Sequence, residues 1–589
     1  MVGRVVSPVF VGRTVELSQL TEAFHRAAAD GPGLVLVAGE AGIGKTRLVA
    51  EFAGRLDSSV RVLRGSCRDG VPYAPFHSTI RQLVREIGTS VVRQILPGPQ
   101  RSLANWLPEL GAGDDTQGKA KLFEEIGTIL DHVSTDRPLV LIVEDLQWAD
   151  TSSRELLTHL SEHLTQPGIL LVGITRTTAD NAVEIGPLSS HEVGRQVASI
   201  LGREPDPANV KRTFERSRGN PLRVEALLAA GDDSVTELCE LFRASLRNLP
   251  DGPRAVLHAA AVIGRQVGPG LLAAAAGKRE TELENPIHLL VDRGLLITTD
   301  TGYSFRHHLI YEAAYADIPA EERVRLHANC ARALTNRPSL LADGRAHELA
   351  THWHAADEPG RALAAAWRAA AAAARSYGFS EQLRLLERVL ELWDRVPDAA
   401  ERIGHERVDV LELAAETSRS DGDPTRGQAF ATEALAEIDE RKEPERAARM
   451  LLARAGLKTR ANENGHEDLL VALRILPSDA ADLTRATVLV ELAASELEDE
   501  SDVDQASTYA EQALAMAHGD ARIRGRALAV VSGVAVRRGD LAAAARMRDQ
   551  SRELSRASGD RDLEGRLDRL SPRPAAPAGR REDDGDPDG

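Results

Sequence analysis

At 589 residues the chain is long enough for about four domains of roughly 150 residues each, which excludes a single small module. Apolar residues at 42% and charged residues at 27% exclude wholesale disorder and fibrous repeats. Lys plus Arg number 72 against 89 for Asp plus Glu, a formal charge of −17, so the surface repels nucleic-acid phosphate unless basic residues gather locally.

The first residues, MVGRVVSPVFVGR, carry no apolar signal core, and no uncharged run approaches the roughly 18 to 20 residues of a membrane helix. Cys67, Cys239 and Cys330 are spaced for neither a disulfide framework nor a metal knuckle. The expectation is a cytoplasmic protein with reduced thiols and no membrane contact. Up to residue 180, short apolar runs (Leu34 to Ala38, Val60 to Leu63, Leu139 to Val143, Ile169 to Ile174) alternate with longer helix-like segments, which predicts a parallel α/β sheet. That places a nucleotide-binding core at 8–188. From 189 to 235 short amphipathic helices bounded by Gly202, Pro205 and Gly219-Asn220-Pro221 predict a helical lid. Residues 236–318 combine helices with a hairpin that turns near Asp300 to Gly302, the layout of a winged helix. Residues 319–570 have helical periodicity broken at Asp357 to Gly360, Pro397, Gly422-Asp423-Pro424, Pro477 and Gly539-Asp540, which predicts an all-α solenoid of helical hairpins. The Pro-, Gly- and acid-rich stretch 571–589 is expected to be disordered.

Gly39-Glu40-Ala41-Gly42-Ile43-Gly44-Lys45-Thr46 fits GxxxxGK[ST] and directly follows the run LVLVA. Glycines let such a loop turn its N–H groups onto a polyphosphate at the positive end of the next helix. Lys45 would neutralise β and γ oxygens, and Thr46 would hold Mg2+. The predicted binding set for ATP or ADP is this octet together with Arg47. A second apolar run, LVLIV, ends in Glu144-Asp145, carboxylates delivered to the strand edge where α/β sheets keep their ligands. Position suggests Glu144 for the metal and Asp145 for the attacking water, so Thr46, Glu144 and Asp145 form the predicted Mg2+ set.

On the P-loop, the EDLQWAD block at 144–150, Val11-Gly12-Arg13 with Glu16-Leu17, Thr175-Arg176, Gly219-Asn220-Pro221 and FRHHLIYEAAY from Phe305, the chain resembles the signal-transduction ATPases with numerous domains (STAND). The resemblance is strongest to the ATPase-plus-solenoid part of large LuxR-type bacterial regulators. It covers roughly residues 9 to 330, with the solenoid similar in layout only. It implies Gly12 and Arg13 on the adenine side, Arg176 as a catalytic sensor of the γ-phosphate, and Pro221 in the turn that closes the lid over the base. It also implies His307 on the β-phosphate of ADP in a resting state. Here the sequence reads Arg306-His307-His308, without the acidic third residue of that family's motif, and a histidine at such an edge can equally be structural.

No metalloprotease, hydrolase-elbow or kinase motif competes, and 250–318 lacks a concentrated basic helix, so direct nucleic-acid binding is not expected. The functional expectation is an ATP-binding switch with slow hydrolysis as its reset. Its helical repeats would sense an inducer or protein partner, with an ATP-dependent homo-oligomer and an output in transcription or other signalling. Two alternatives stay open: a helical-repeat scaffold with a structural nucleotide, and a shortened LuxR-type regulator, since the text after Leu570 contains no helix-turn-helix.

Overall fold

The computed structural model describes residues 7–560 apart from 69, 97–101, 112–117, 178–181, 231–245, 247–248, 341–345, 478–482, 499–501 and 518, together with Leu563 and Leu567. The expected tail at 571–589, Cys239 and the 235/236 boundary lie outside the described residues. The chain forms two compact units, 1–405 and 406–589.

In the first unit the four predicted apolar runs become strands β1 (Gly33–Ala38), β2 (Arg61–Ser66), β3 (Leu139–Glu144) and β4 (Ile169–Ile174), joined by the two-residue β5 (Val183–Glu184). All pair in parallel, in the order β2-β3-β4-β1-β5. A parallel sheet needs crossover helices on its faces, so its central strands run apolar until β3 ends in Glu144. One face of β1, β3 and β4 (Val35, Val37, Val140, Ile142, Leu170, Val172) packs on helices Thr14–Asp30 and Lys45–Arg55 through Leu17, Leu20, Leu48 and Phe52. The other face (Leu139, Leu141, Val143, Ile169, Leu171) packs on helices Ala74–Ile87, Gly118–Ser134 and Thr151–His163. With the P-loop at the end of β1, this is the P-loop NTPase architecture.

Three short helices follow, Ser190–Leu201, Pro207–Ser217 and Pro221–Ala230; Ser189 and Glu192 form a capping box at the first. Helices Asp251–Ile263, Pro269–Ala276 and Glu284–Asp292 then surround a small antiparallel sheet. Its order is β6 (Gln266–Val267), β8 (Gly302–Phe305), β7 (Leu296–Thr299), a winged-helix-like layout with its hairpin turning between Thr299 and Gly302. One hydrophobic cluster joins Leu222 and Ala226 of the lid, this small domain, and Leu326, Cys330 and Leu334 of helix Ala320–Asn336. Helices Ala346–Ala355, Pro359–Arg375 and Phe379–Trp393 complete the unit, and Tyr377 enters the ATPase core cluster. Burial pushes the thiols of Cys67 and Cys330 up to about 12, so both stay protonated and unreactive.

The second unit is a stack of helical hairpins whose first helices begin at Arg407, Pro444, Leu483 and Ala521. The turns explain themselves: Gly422 and Gly539 adopt the left-handed backbone that stops one helix, and Asp423 and Asp540 accept amide hydrogens of Arg426 and Ala543 at 3.1 and 2.9 Å to start the next. Among the described residues no helix is long and apolar enough to cross a membrane.

Candidate functional site

The strand order brings the chemistry to one edge. β4 lies between β1 and β3, with Val37 opposite Ile174 and Val143 opposite Gly173. Gly39, Glu144-Asp145 and Thr175-Arg176 therefore leave the same carboxyl end of the sheet, where α/β proteins hold ligands.

The P-loop conformation needs its glycines. Gly42 and Gly44 have φ of 78° and 105°, and a Cβ on Gly42 would lie 2.7 Å from Leu222. Gly44 starts helix Lys45–Arg55 without a side-chain cap, leaving that N-terminus to an anion. Lys45 folds back on its own loop, Nζ donating to the carbonyls of Gly39 at 2.7 Å and Glu40 at 2.8 Å. Glu40 and Thr46 are exposed at this edge, whereas Ile43 is buried in the core and holds the loop down. Asn220 Nδ2 donates to the Ala41 carbonyl at 3.0 Å and the Leu222 amide to that of Gly42 at 3.3 Å. The Gly-Asn-Pro turn thus grips the loop through Asn220 and Leu222, while the Pro221 carbonyl accepts from Gln196 at 3.0 Å.

Gly12 (φ 73°) packs on Glu192, and Arg13 pairs with Glu16 at 3.1 Å while donating to the carbonyls of Ile43 and Gly186. Arg47 donates to the Ser7 carbonyl at 2.9 Å. Gly12, Arg13 and Arg47 therefore knit residues 7–13 to the loop and the lid.

On the opposite wall Glu144 faces Arg64 at 3.8 Å, and burial raises its carboxyl above the usual range despite that charge. Asp145 sits in the left-handed region (φ 60°) and accepts from Gln147 at 3.1 Å and from Arg265, which enters from the small domain just after Gly264. Burial pulls the Asp145 carboxyl up, but the Arg265 charge and hydrogen bond outweigh it and hold it below the usual range. A second cross-domain pair, Arg306 on the buried Glu225, ties the same domain to the lid; Glu225 also accepts the Ser7 amide at 3.1 Å.

His307 caps helix His308–Asp317, its Nδ1 accepting the Leu309 amide at 3.1 Å, so the neutral ring carries its proton on Nε2. Burial, then the charges of Arg176, His308 and Arg265, push its pKa down to about 3, and it stays neutral at physiological pH. His308 lies edge-on to Trp148 at 5.2 Å and pairs with Glu312. Arg176 makes no ion pair among the described residues, yet its charge reaches both Lys45 and His307.

Lys45, Arg176, His307, Glu144 and Asp145 are thus gathered at one edge. Sequence reasoning did not reach Arg265 and Glu225, which belong to no motif; Arg306 was visible only as the first position of Arg306-His307-His308 and Asn220 only as the middle of a turn. The donor set fits a nucleoside polyphosphate: an ammonium, an uncapped helix start, an unpaired guanidinium and a neutral imidazole N–H. Mg2+ needs only one or two carboxylates beside phosphate oxygens, which Glu144, Asp145 and the Thr46 hydroxyl can supply.

Burial, with Arg176 adding to it, lowers the Lys45 pKa to about 8, while Asp145 and Glu40 oppose the shift. A bound polyphosphate would raise that pKa, so binding takes up a proton once the free lysine is deprotonated. Affinity for nucleotide should be full below about pH 7 and fall about tenfold between pH 7 and 9. Calorimetry across that range checks it, and Lys45→Arg, charged throughout, should flatten the profile.

Residues 9–172 match the AAA ATPase domain family. The matched stretch takes in the P-loop, the Glu144-Asp145 strand and most of β4. An uncharacterized protein of Rhizobium meliloti (strain 1021) is 25% identical over 401 residues, covering 58% of this chain and 38% of its own length. The chain thus spans well under half of that curated relative. Among solved structures, a signal transduction ATPase with numerous domains (STAND) protein with a tetratricopeptide repeat sensor from Pyrococcus horikoshii is 16% identical. The match covers 96% of this chain and 80% of that one, with a TM-score of 0.49. A Walker-type ATPase of Pyrococcus abyssi is 13% identical, covering 53% of this chain and 98% of that one, with a TM-score of 0.28. The assignment of the P-loop NTPase fold rests on the sheet order and the loop itself.

Proposed function

We propose that the chain is a nucleotide-dependent signalling switch of the STAND kind, binding ATP or ADP with Mg2+ at the P-loop edge. The observation that carries this reading is the ion pair between Arg265 and Asp145. A second domain occupies the carboxylate that hydrolysis requires, so docking of that domain and use of the site compete.

Lys45 and the amides that open helix Lys45–Arg55 would hold the β- and γ-phosphates, with Thr46 and Glu144 holding Mg2+. Bound Mg2+ supplies neutralisation of the phosphate charge. Asp145, once released by Arg265, is free to orient the attacking water, and Arg176 lies where a guanidinium can read the γ-phosphate. His307, neutral with Nε2–H as donor, suits the β-phosphate of a diphosphate and so favours the docked state. Gly12, Arg13 and Pro221 serve the base side through the loop and lid. A nucleotide moves this equilibrium only through contacts that differ between the docked and undocked states, and Arg265 and His307 are such contacts. Hydrolysis is slow and resets the switch, and the helical hairpins carry the signal to a partner, in transcription or another pathway.

The test is size exclusion with light scattering. The chain should stay at one mass in Mg-ADP and shift to a multiple of it in a nonhydrolysable Mg-ATP analogue. The same mass in both nucleotides overturns the switch and leaves a scaffold with a structural nucleotide.

A further inference from the structure

The first unit also contains a cleft of about 1120 Å³ that adjoins the Arg265 segment and is walled by several separate parts of the chain. They are helix Ala74–Ile87 with Arg68 and residues 71–72 and 105–109, the stretch 263–271 and Thr301 of the small domain, residues 339–340, and the end of helix Pro359–Arg375. Small-molecule sites run to roughly 300–1,000 Å³, so the space admits a whole organic ligand.

Its charge contrasts with that of the chain. Arg68, Arg81, Arg85 and Arg375 line it against one carboxylate among the described residues, Glu109, in a protein of formal charge −17. His77, Arg81 and Arg85 follow one another at four-residue spacing and form a single stripe of their helix, while Phe76, Ile80, Leu83 and Val84 bury the adjoining face. Two arginines one turn apart repel each other and weaken their own helix. Glu86 pairs with Arg61 at 3.0 Å, and Arg81 donates to the Trp106 carbonyl at 3.3 Å. Arg85 and Arg375 are exposed and make no ion pair among the described residues. A rule of local stability broken in this way is what a binding site leaves behind.

The walls are also held in place. Trp106 is buried with its ring 5.7 Å from that of His77, and its Nε1 donates to the Ser376 carbonyl at 3.3 Å. Asn105 donates to the Tyr377 hydroxyl at 3.1 Å, fixing the same segment to the turn after helix Pro359–Arg375. The cleft therefore offers an aromatic wall beside guanidinium groups, which take carboxylate or phosphate in paired hydrogen bonds. Low-dielectric walls strengthen that attraction.

We propose that this cleft binds a small organic dianion with an aromatic or apolar body, its anionic groups taken by Arg85, Arg375 and Arg81. The site needs only the cleft; its consequence for the switch, a ligand bridging core, small domain and first helices together, rests on the reading above.

The test is calorimetry on the full chain, first titrated with Mg-ADP to fill the P-loop and then with phenyl phosphate or with phthalate. One of the two probes should bind at one per chain, identifying phosphate or carboxylate as the preferred group, with affinity that falls as salt rises. Arg85→Glu and Arg375→Glu, both at exposed positions, should each weaken it about tenfold while thermal unfolding is retained. No binding of either probe, equal binding in both variants, or displacement by Mg-ADP overturns the proposal. If Mg-ADP itself fails to bind, the switch reading falls, and the probe titration still decides the cleft.

Discussion

Lys45→Ala should bind Mg-ATP about a hundredfold more weakly than the parent chain. Hydrogen bonds to charged groups are worth roughly 1.5–3 kcal/mol, and each 1.4 kcal/mol is a factor of ten, so losing an ammonium that serves two phosphates removes about two decades. The side chain donates only to the Gly39 and Glu40 carbonyls of its own loop, so the substitution should leave the fold in place. Calorimetry with Mg-ATP measures the loss, and circular dichroism checks the fold. Unchanged affinity would refute the assignment of the P-loop edge as the nucleotide site.

Arg265→Asp should accelerate release of ADP about thirtyfold. The substitution removes the ion pair with Asp145 and sets a second carboxylate against the first, which also faces Glu144. The pair is partly exposed, with about a third of the arginine side chain open to solvent, so screening limits the lost attraction to on the order of 1 kcal/mol. Repulsion of similar size brings the total to about 2 kcal/mol, or about thirtyfold in the docked population. Arg265→Ala should give only the first part of that change. Stopped-flow release of a fluorescent ADP analogue measures both variants. Identical release in parent and Arg265→Asp would separate docking of the small domain from the nucleotide site. Arg306→Ala, which frees the buried Glu225, offers a second hinge point: if it speeds release as well, both pairs hold one docked state.

Much of this architecture is written locally. The runs at 34–38, 139–143 and 169–174 become β1, β3 and β4 because strands covered on both faces are apolar over long runs, a signal that needs no tertiary knowledge, whereas the edge strand β2 shows only the short run at 60–63. The P-loop is legible because its glycines serve backbone angles that other residues resist. Lys45 stands out through the loop motif and Glu144-Asp145 through the run they end, whereas Arg176 was singled out only by resemblance. The Gly-Asp turns of the second unit are legible for the same kind of reason, one residue stopping a helix and the next capping another. β5 has no such mark: two residues long, it is a strand only because Val37 and Ala38 offer it an edge.

The partners of these residues are a different matter. Asn220 reads as part of a turn until the fold lays it against Ala41, and the carbonyl of Pro221, the residue singled out by resemblance, accepts from Gln196. Arg265 follows an ordinary helix stop at Gly264, and nothing near it in the chain announces a carboxylate 120 positions away. The arginine stripe of helix Ala74–Ile87 likewise looks like a solvated face until the small domain and helix Pro359–Arg375 close a cleft around it.

Backbone angles and burial periodicity act over a few residues, so loop, strands and helical hairpins are properties of local sequence. Which charge meets which depends on how whole layers pack, because an ion pair is set by distance in space and by the water excluded around it. The order β2-β3-β4-β1-β5 and the docking of the small domain decide that Arg265 reaches Asp145.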